Sequence, residues 1–251
     1  SNTKYVAFWL QWNNNQGAYA QVGSVSGTTI TFGSVTQVAV DSTTWSWISC
    51  DYDKVNEVVM YMLGQSSGSV YGATISGTTI NESTTRGQYG ENLGSGQIVS
   101  DQKGGFMSCY IRSDGADQYV RAGTYNSSGD ITLGSATGGD NGYATQVYRN
   151  MSSLAYSPDD DKWVAVFSKA SGTYQTHFSI ATRSGTTATQ PASPSGYNSG
   201  AGVNTIFYDT KNKYFVQLNR RNGSGAQTLR TLQINAAGNG VTVGQTVDAF
   251  D

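Results

Sequence analysis

The sequence predicts an all-β fold: a five-bladed β-propeller of four-stranded antiparallel blades, with the first inner strand missing from the chain. Three observations lead there. Short runs rich in Val, Ile, Tyr and Thr recur between Gly, Ser and Asn turns. A turn motif returns at Ser26-Gly27-Thr28-Thr29-Ile30, Ser76-Gly77-Thr78-Thr79-Ile80, Ser128-Gly129-Asp130-Ile131, Ser184-Gly185-Thr186-Thr187 and, more loosely, Gly238-Asn239-Gly240-Val241. Its spacing of roughly 50–56 residues lies in the range of propellers and solenoids. Each period holds four strand-like runs, here termed A, B, C and D.

Strand A is read at Ile48 to Tyr52, Gln97 to Ser100, Ser153 to Tyr156 and Asn204 to Tyr208. Strand B is read at Tyr5 to Leu10, Val58 to Leu63, Phe106 to Ile111, Trp163 to Ser168 and Tyr214 to Asn219. Several B runs are almost continuously apolar, as expected of a sheet covered on both faces by neighbouring blades. Strand C is read at Tyr19 to Val25, Val70 to Ile75, Tyr119 to Tyr125, His177 to Thr182 and Thr228 to Ile234. Strand D has the weakest pattern: Ile30 to Gln37, near Ile80 to Thr84, Asp130 to Ala136, Thr187 to Ala192 and Val241 to Val247. The blades then run approximately 1–46, 47–96, 97–151, 152–203 and 204–251, within one domain. Strand A occurs four times and the others five times, because the chain opens in what aligns with an A–B turn. An unpaired edge there is an aggregation hazard, so a segment of a longer chain or another polypeptide is expected to cover it. The runner-up fold is a β-solenoid or trimeric fibre shaft, architectures with shorter repeats.

Composition bounds the function. The chain is long enough to bury a full core, and its 31 glycines fit a protein of many turns. Charged residues make up 13% and the net charge is −2, which argues against electrostatic binding of nucleic acid. No apolar run approaches a membrane span. No Gly-rich phosphate loop is present, and no cofactor is expected. Cys50 and Cys109 are expected as two buried free thiols, with a disulfide as the alternative. His177, the only histidine, is read as a satisfied strand residue. Asp51, Asp53, Asp101, Asp159 to Asp161 and Asp209 recur at the tight A–B turns, where Asp bonds to the backbone. A calcium site at Asp159 to Asp161 lacks the glycine-pivoted ligand series of an EF-hand. No metal ligand and no catalytic residue is assigned.

Loop length separates two faces. The A–B and C–D turns are tight, whereas the B–C and D–A connections are long and emerge together, so binding is expected on that face. Its candidate ligand-binding residues are Trp12, Asn14, Trp45, Tyr89, Asn92, Asp140, Tyr143, Tyr174, Tyr197 and Asn198. Flat aromatics beside amides and carboxylates suit a sugar ring, whose apolar face stacks while its hydroxyls find partners. The same recurrence fits rings wedged between adjacent blades. A glycosidase would need two carboxylates at a defined separation, and Glu57, Glu82 and Glu91 share no repeat position.

The Tyr-Asp turns at Tyr52-Asp53 and Tyr208-Asp209, with the stretch Ser26 to Ser34, resemble a tandem repeat of virion-associated and tail-fibre-type proteins of marine bacteriophages. That resemblance implies a non-enzymatic structural or host-attachment module, virion-borne or extracellular, contacting a cell-surface glycan or other virion proteins. It would act as a homo-oligomer or as part of a longer chain. The Ser157-Pro158-Asp159 to Trp163 turn looks like the strand turns of WD-repeat and TolB-type propellers, and the architecture is similar to that of tachylectin-type five-bladed lectins. A free-standing multivalent lectin is therefore the alternative function, and a five-bladed glycosidase the second alternative.

Overall fold

The computed structural model describes residues 3–11, 17–38, 47–64, 67–112, 118–138, 153–169, 175–190, 195–197, 204–220 and 227–250. All regular structure among them is strand, arranged in five sheets. The first holds β1 (Thr3–Gln11), β2 (Gly17–Ser26), β3 (Thr29–Phe32) and β4 (Thr36–Val38). The second holds β5 (Trp47–Asp53), β6 (Val58–Gly64), β7 (Ser69–Ser76), β8 (Thr79–Glu82) and β9 (Gly87–Gln88). The third holds β10 (Leu93–Ser100), β11 (Gly105–Arg112), β12 (Gln118–Tyr125) and β13 (Ile131–Gly138). The fourth holds β14 (Ser153–Ser157), β15 (Lys162–Lys169), β16 (Gln175–Ser184), β17 (Thr187–Thr189) and β18 (Ser195–Tyr197), and the fifth β19 (Asn204–Asp209), β20 (Tyr214–Arg220), β21 (Gln227–Ile234) and β22 (Val241–Phe250).

In the second to fifth sheets the strands follow the order A, B, C, D, each antiparallel to the next. The first sheet has B, C and D only: β1 pairs with β2, and no described strand lies on its other edge. The D position is broken in three sheets, where β4, β9 and β18 return to pair with β2, β7 and β16.

The turns show why the repeat motif has its residues. The C–D turns close on Gly27, Gly77, Gly129, Gly185 and Gly238, with φ between 57° and 85°, a conformation glycine adopts without steric cost. At the A–B turns the aspartates cap the backbone. Asp53 Oδ1 accepts the Val55 and Asn56 amides at 2.7 and 2.9 Å, and Asp209 Oδ1 accepts those of Lys211 and Asn212 at 2.9 and 3.0 Å. At the 159–161 turn the three carboxylates face different partners: Asp159 the Tyr208 hydroxyl, Asp160 that of Ser157 and Asp161 that of Tyr156.

The core lies between sheets, in four large clusters and a small fifth of Ile111 and Phe167. Ala20, Val22, Tyr61 and Ala73 join the first and second sheets; Met60, Met62, Phe106 and Tyr110 the second and third. Met107, Cys109, Trp163 and Ala181 join the third and fourth; Val164, Phe178, Ile206 and Phe215 the fourth and fifth. Both faces of each middle sheet are thus covered, which explains the unbroken apolar B runs. The inner strands are also linked directly. Ser49 Oγ accepts the Ile98 amide (3.2 Å), Gln97 Oε1 the Leu154 amide (2.7 Å) and Ser153 Oγ the Ile206 amide (3.0 Å). This succession of sheets around neighbouring inner strands is propeller-like.

The first and last sheets differ from the three between them. Tyr5 is 61% exposed, although the residues at its register position in later sheets, Val59, Phe106, Trp163 and Phe215, are exposed by 3% or less. Ile30 and Phe32 are exposed beside it, and on the last sheet Phe207, Leu229 and Val247 are exposed. Among the described residues no hydrophobic cluster joins the first sheet to the fifth. Cys50 is also exposed, contrary to the expectation for both thiols, while Cys109 is buried; neither is in a disulfide. Cys50 lies on β5, beside the position an inner strand of the first sheet would fill.

Candidate functional site

Of the ten residues proposed for the long-loop face, Trp12, Asn14, Trp45, Asp140, Tyr143, Tyr174 and Asn198 lie outside the described residues. Tyr197 ends β18 opposite Thr176, and its side chain lies outside them as well. Tyr89 and Asn92 are described, and both stand in the connection from the second sheet to the third.

That connection is tied down by its backbone. The Tyr89 amide donates to the Gly68 carbonyl (2.8 Å), and the Gly68 amide donates to that of Glu91 (3.1 Å). Tyr89 then drops between the two sheets, where it is buried. Its ring meets Tyr110 edge-on, centroids 5.0 Å apart, and the Arg121 guanidinium stands 5.3 Å from its centre. Arg121 Nη1 also donates to the Tyr89 carbonyl at 3.0 Å. For Tyr89, then, the ring wedges between sheets. Asn92 is exposed at the surface above it.

Around these two the structure gathers residues that the sequence analysis did not assign. The Tyr110 hydroxyl donates to Glu91 Oε1 at 2.5 Å. Tyr119 stacks on Tyr110 with centroids 5.7 Å apart, and the Arg112 guanidinium lies 5.2 Å from the Tyr119 ring centre. Trp47 rests against the backbone of Gly64, where any side chain would collide with the indole, and its Nε1 donates to the Leu93 carbonyl at 3.2 Å. Trp47, Glu91, Arg112 and Tyr119 are half-buried. The mouth between the second and third sheets therefore offers partly open rings, a held carboxylate, a guanidinium and an exposed amide, groups that suit a polyhydroxylated ligand.

Nucleophilic chemistry at Tyr110 is disfavoured by its setting. Its side chain is fully buried, and burial, followed by the bond to Glu91, pushes the phenol well above its ordinary pKa. An activated phenol would need the opposite shift. His177 is buried and stacks on Phe167, centroids 5.4 Å apart.

No protein-family model matches the chain, and no curated protein matches it. Among solved structures it is similar to a sialidase from Trypanosoma rangeli, solved in complex with the inhibitor DANA. Identity is 11%, the TM-score is 0.49, and the match covers 91% of this chain and 42% of the sialidase chain. Against the expectation of a non-enzymatic chain, this neighbour is an enzyme. At that identity and score, the likeness assigns no reaction to the chain.

Proposed function

We propose that the chain is a carbohydrate-binding module whose long-loop face takes cell-surface glycans. The observation that supports this is the mouth between the second and third sheets, where Glu91 accepts the Tyr110 hydroxyl, Arg112 stands over the half-buried Tyr119 that stacks on Tyr110, and Asn92 is exposed next to Glu91. A sugar ring would stack on an exposed aromatic face while its hydroxyls meet the carboxylate, guanidinium and amide. The phage-repeat resemblance adds the setting: attachment of a virion to its host through several weak sites acting together.

A glycan array tests this. Wild-type chain is expected to bind a restricted set of glycans, and Arg112→Ala or Asn92→Ala to lose about tenfold or more of that affinity with an unchanged melting curve. Tyr89→Ala is expected to lower stability instead. An array without any ligand would overturn the reading, and release of sugar from an arrayed glycan would replace it with that of a glycosidase.

A further inference from the structure

The geometry points to a second binding place, independent of the carbohydrate reading: the groove along the free edge of β1 accepts an extended polypeptide segment with the chemistry of an inner strand. In the four later sheets the B strand carries an A strand on this edge. On β1 none of the described residues pairs there. A groove of about 600 Å³ lies instead between Thr3, Tyr5, Val6 and Phe8 on one side and Cys50 and Tyr52 on the other.

The repeat itself states what fits. Each inner strand receives a hydrogen-bond acceptor from the one before it: Ser49 for Ile98, Gln97 for Leu154, Ser153 for Ile206. Cys50 stands at the register position of Ile98, Leu154 and Ile206, so the segment must bring a Ser, Thr or Gln to the Cys50 amide. Three residues later an aromatic stands in three of the four inner strands, Tyr52, Tyr156 and Tyr208, with Ser100 in β10. Tyr156 packs on Trp163 with centroids 4.6 Å apart, and Tyr208 on Phe215 at 4.9 Å. Tyr5 holds the position of Trp163 and Phe215, and it is exposed. The segment therefore lays a tyrosine against Tyr5. An apolar residue follows its acceptor, as at Leu154 and Ile206, and an Asp or Ser ends it, as at Asp209 and Ser157. Backbone hydrogen bonds along β1 give the affinity, and this side-chain pattern gives the selectivity, as in strand addition to any sheet edge.

The test uses a fluorescent peptide carrying the β14 sequence, Ser153–Ser157, with two flanking residues at each end. Titrated into the chain, it is expected to bind saturably by anisotropy and to slow alkylation of Cys50, which lines the groove. Proline in place of the peptide's central alanine removes a strand N–H and is expected to weaken binding about tenfold. Tyr5→Asp, at an exposed position, is expected to weaken it by a similar factor with the circular dichroism spectrum unchanged. A short strand binds weakly in trans, so the same segment is also joined ahead of Ser1, where linkage raises its effective concentration. That fusion is expected to melt higher than the parent chain and to shield Cys50. The inference is overturned if neither peptide nor fusion changes Cys50 alkylation, or if the proline peptide binds as well as the parent peptide. A concentration-dependent dimer that excludes the peptide would also overturn it, by assigning the groove to a second copy of the chain.

Discussion

Gly134 and Gly244 stand at the same place in two repeats, and comparing them shows what a neighbouring sheet demands of a single residue. A Cβ on Gly134 would lie 1.7 Å from the Thr186 carbonyl oxygen of the next sheet; one on Gly33 would lie 2.4 Å from that of Thr78. On Gly244 it would meet only Thr231 of its own sheet, at the hydroxyl. Gly134→Ala should therefore cost about 2 kcal/mol through overpacking against backbone, and Gly244→Ala less than about 0.5 kcal/mol, since a side chain can turn away; urea denaturation of the pair measures the difference. Arg183 and Asp101 give a second case. Arg183 reaches across from the fourth sheet to Asp101 on the third, and both side chains are largely removed from water. Arg183→Ala leaves the buried carboxylate with its turn amides alone, and should cost about 3 kcal/mol, with a double-mutant cycle against Asp101→Asn isolating the pair. Residues of this kind were partly legible. The turn glycines and capping aspartates announce themselves by recurrence, because a backbone need repeats with the backbone. Tyr119 recurs as Tyr19, each stacked on the ring opposite it, but Glu91 and Arg112 do not recur, and a search by repeat phase passes over them. The scarcity of Glu and its place beside Asn92 were the available signal. For Tyr89 the sequence leaves two readings, a ring open to ligand and a ring wedged between blades, and its burial between the sheets selects the second.

At the scale of elements, the strands were readable to within about two residues in positions A, B and C, where a buried face enforces alternation and apolar runs; the exception is β10, which begins at Leu93, four residues before the reading at Gln97. The D strands broke where the sequence could not show it: at the rim few side chains are buried, so pattern no longer dictates pairing. The tight A–B turns act as staples between sheets. Lys103 of the third sheet pairs with Asp161 of the fourth at 2.9 Å, and Lys213 of the fifth with Asp159 at 2.8 Å. Bonds from Tyr156 and Lys103 hold the Asp161 carboxyl below its ordinary value, and those from Lys213 and Tyr208 do the same for Asp159. At Asp53 burial works to raise the carboxyl, but the bonds from Tyr125, Asn56 and the turn amides outweigh it and leave it lowered. A depressed carboxyl contributes stability that is present above the unfolded value of about 3.9 and disappears as pH falls through the lower folded value. Asp51 works the other way, its carboxyl raised by burial, so its protonation favours the folded chain as pH falls. With three staples lowered against this one raised, the urea midpoint should fall steeply below about pH 4. Asp161→Asn should flatten that fall in a pH series.

For the molecule as a whole, repetition predicted five sheets, but it carried no information on whether the ends meet. Each interface is a local match between one sheet and the next, and the angle between them depends on the sizes of side chains that differ at each junction. The exposed ends have an energetic consequence that sets them apart from the same positions inside the series. Phe215→Ala empties a filled site and should cost about 3–5 kcal/mol. Tyr5→Asp, at the matching position of the first sheet, should change stability by less than about 0.5 kcal/mol, a contrast that thermal melts of the two variants would show directly.

A series of sheets with no such cluster between its first and last members also differs from a closed ring in how it moves. A ring ties its last unit to its first, so a rotation at one junction must be undone at the others and the bore stays fixed. Here the hydrophobic clusters of the described residues lie in series, each joining one sheet to the next. Small rotations at successive junctions then accumulate, and the distance between the ends becomes the softest coordinate of the molecule.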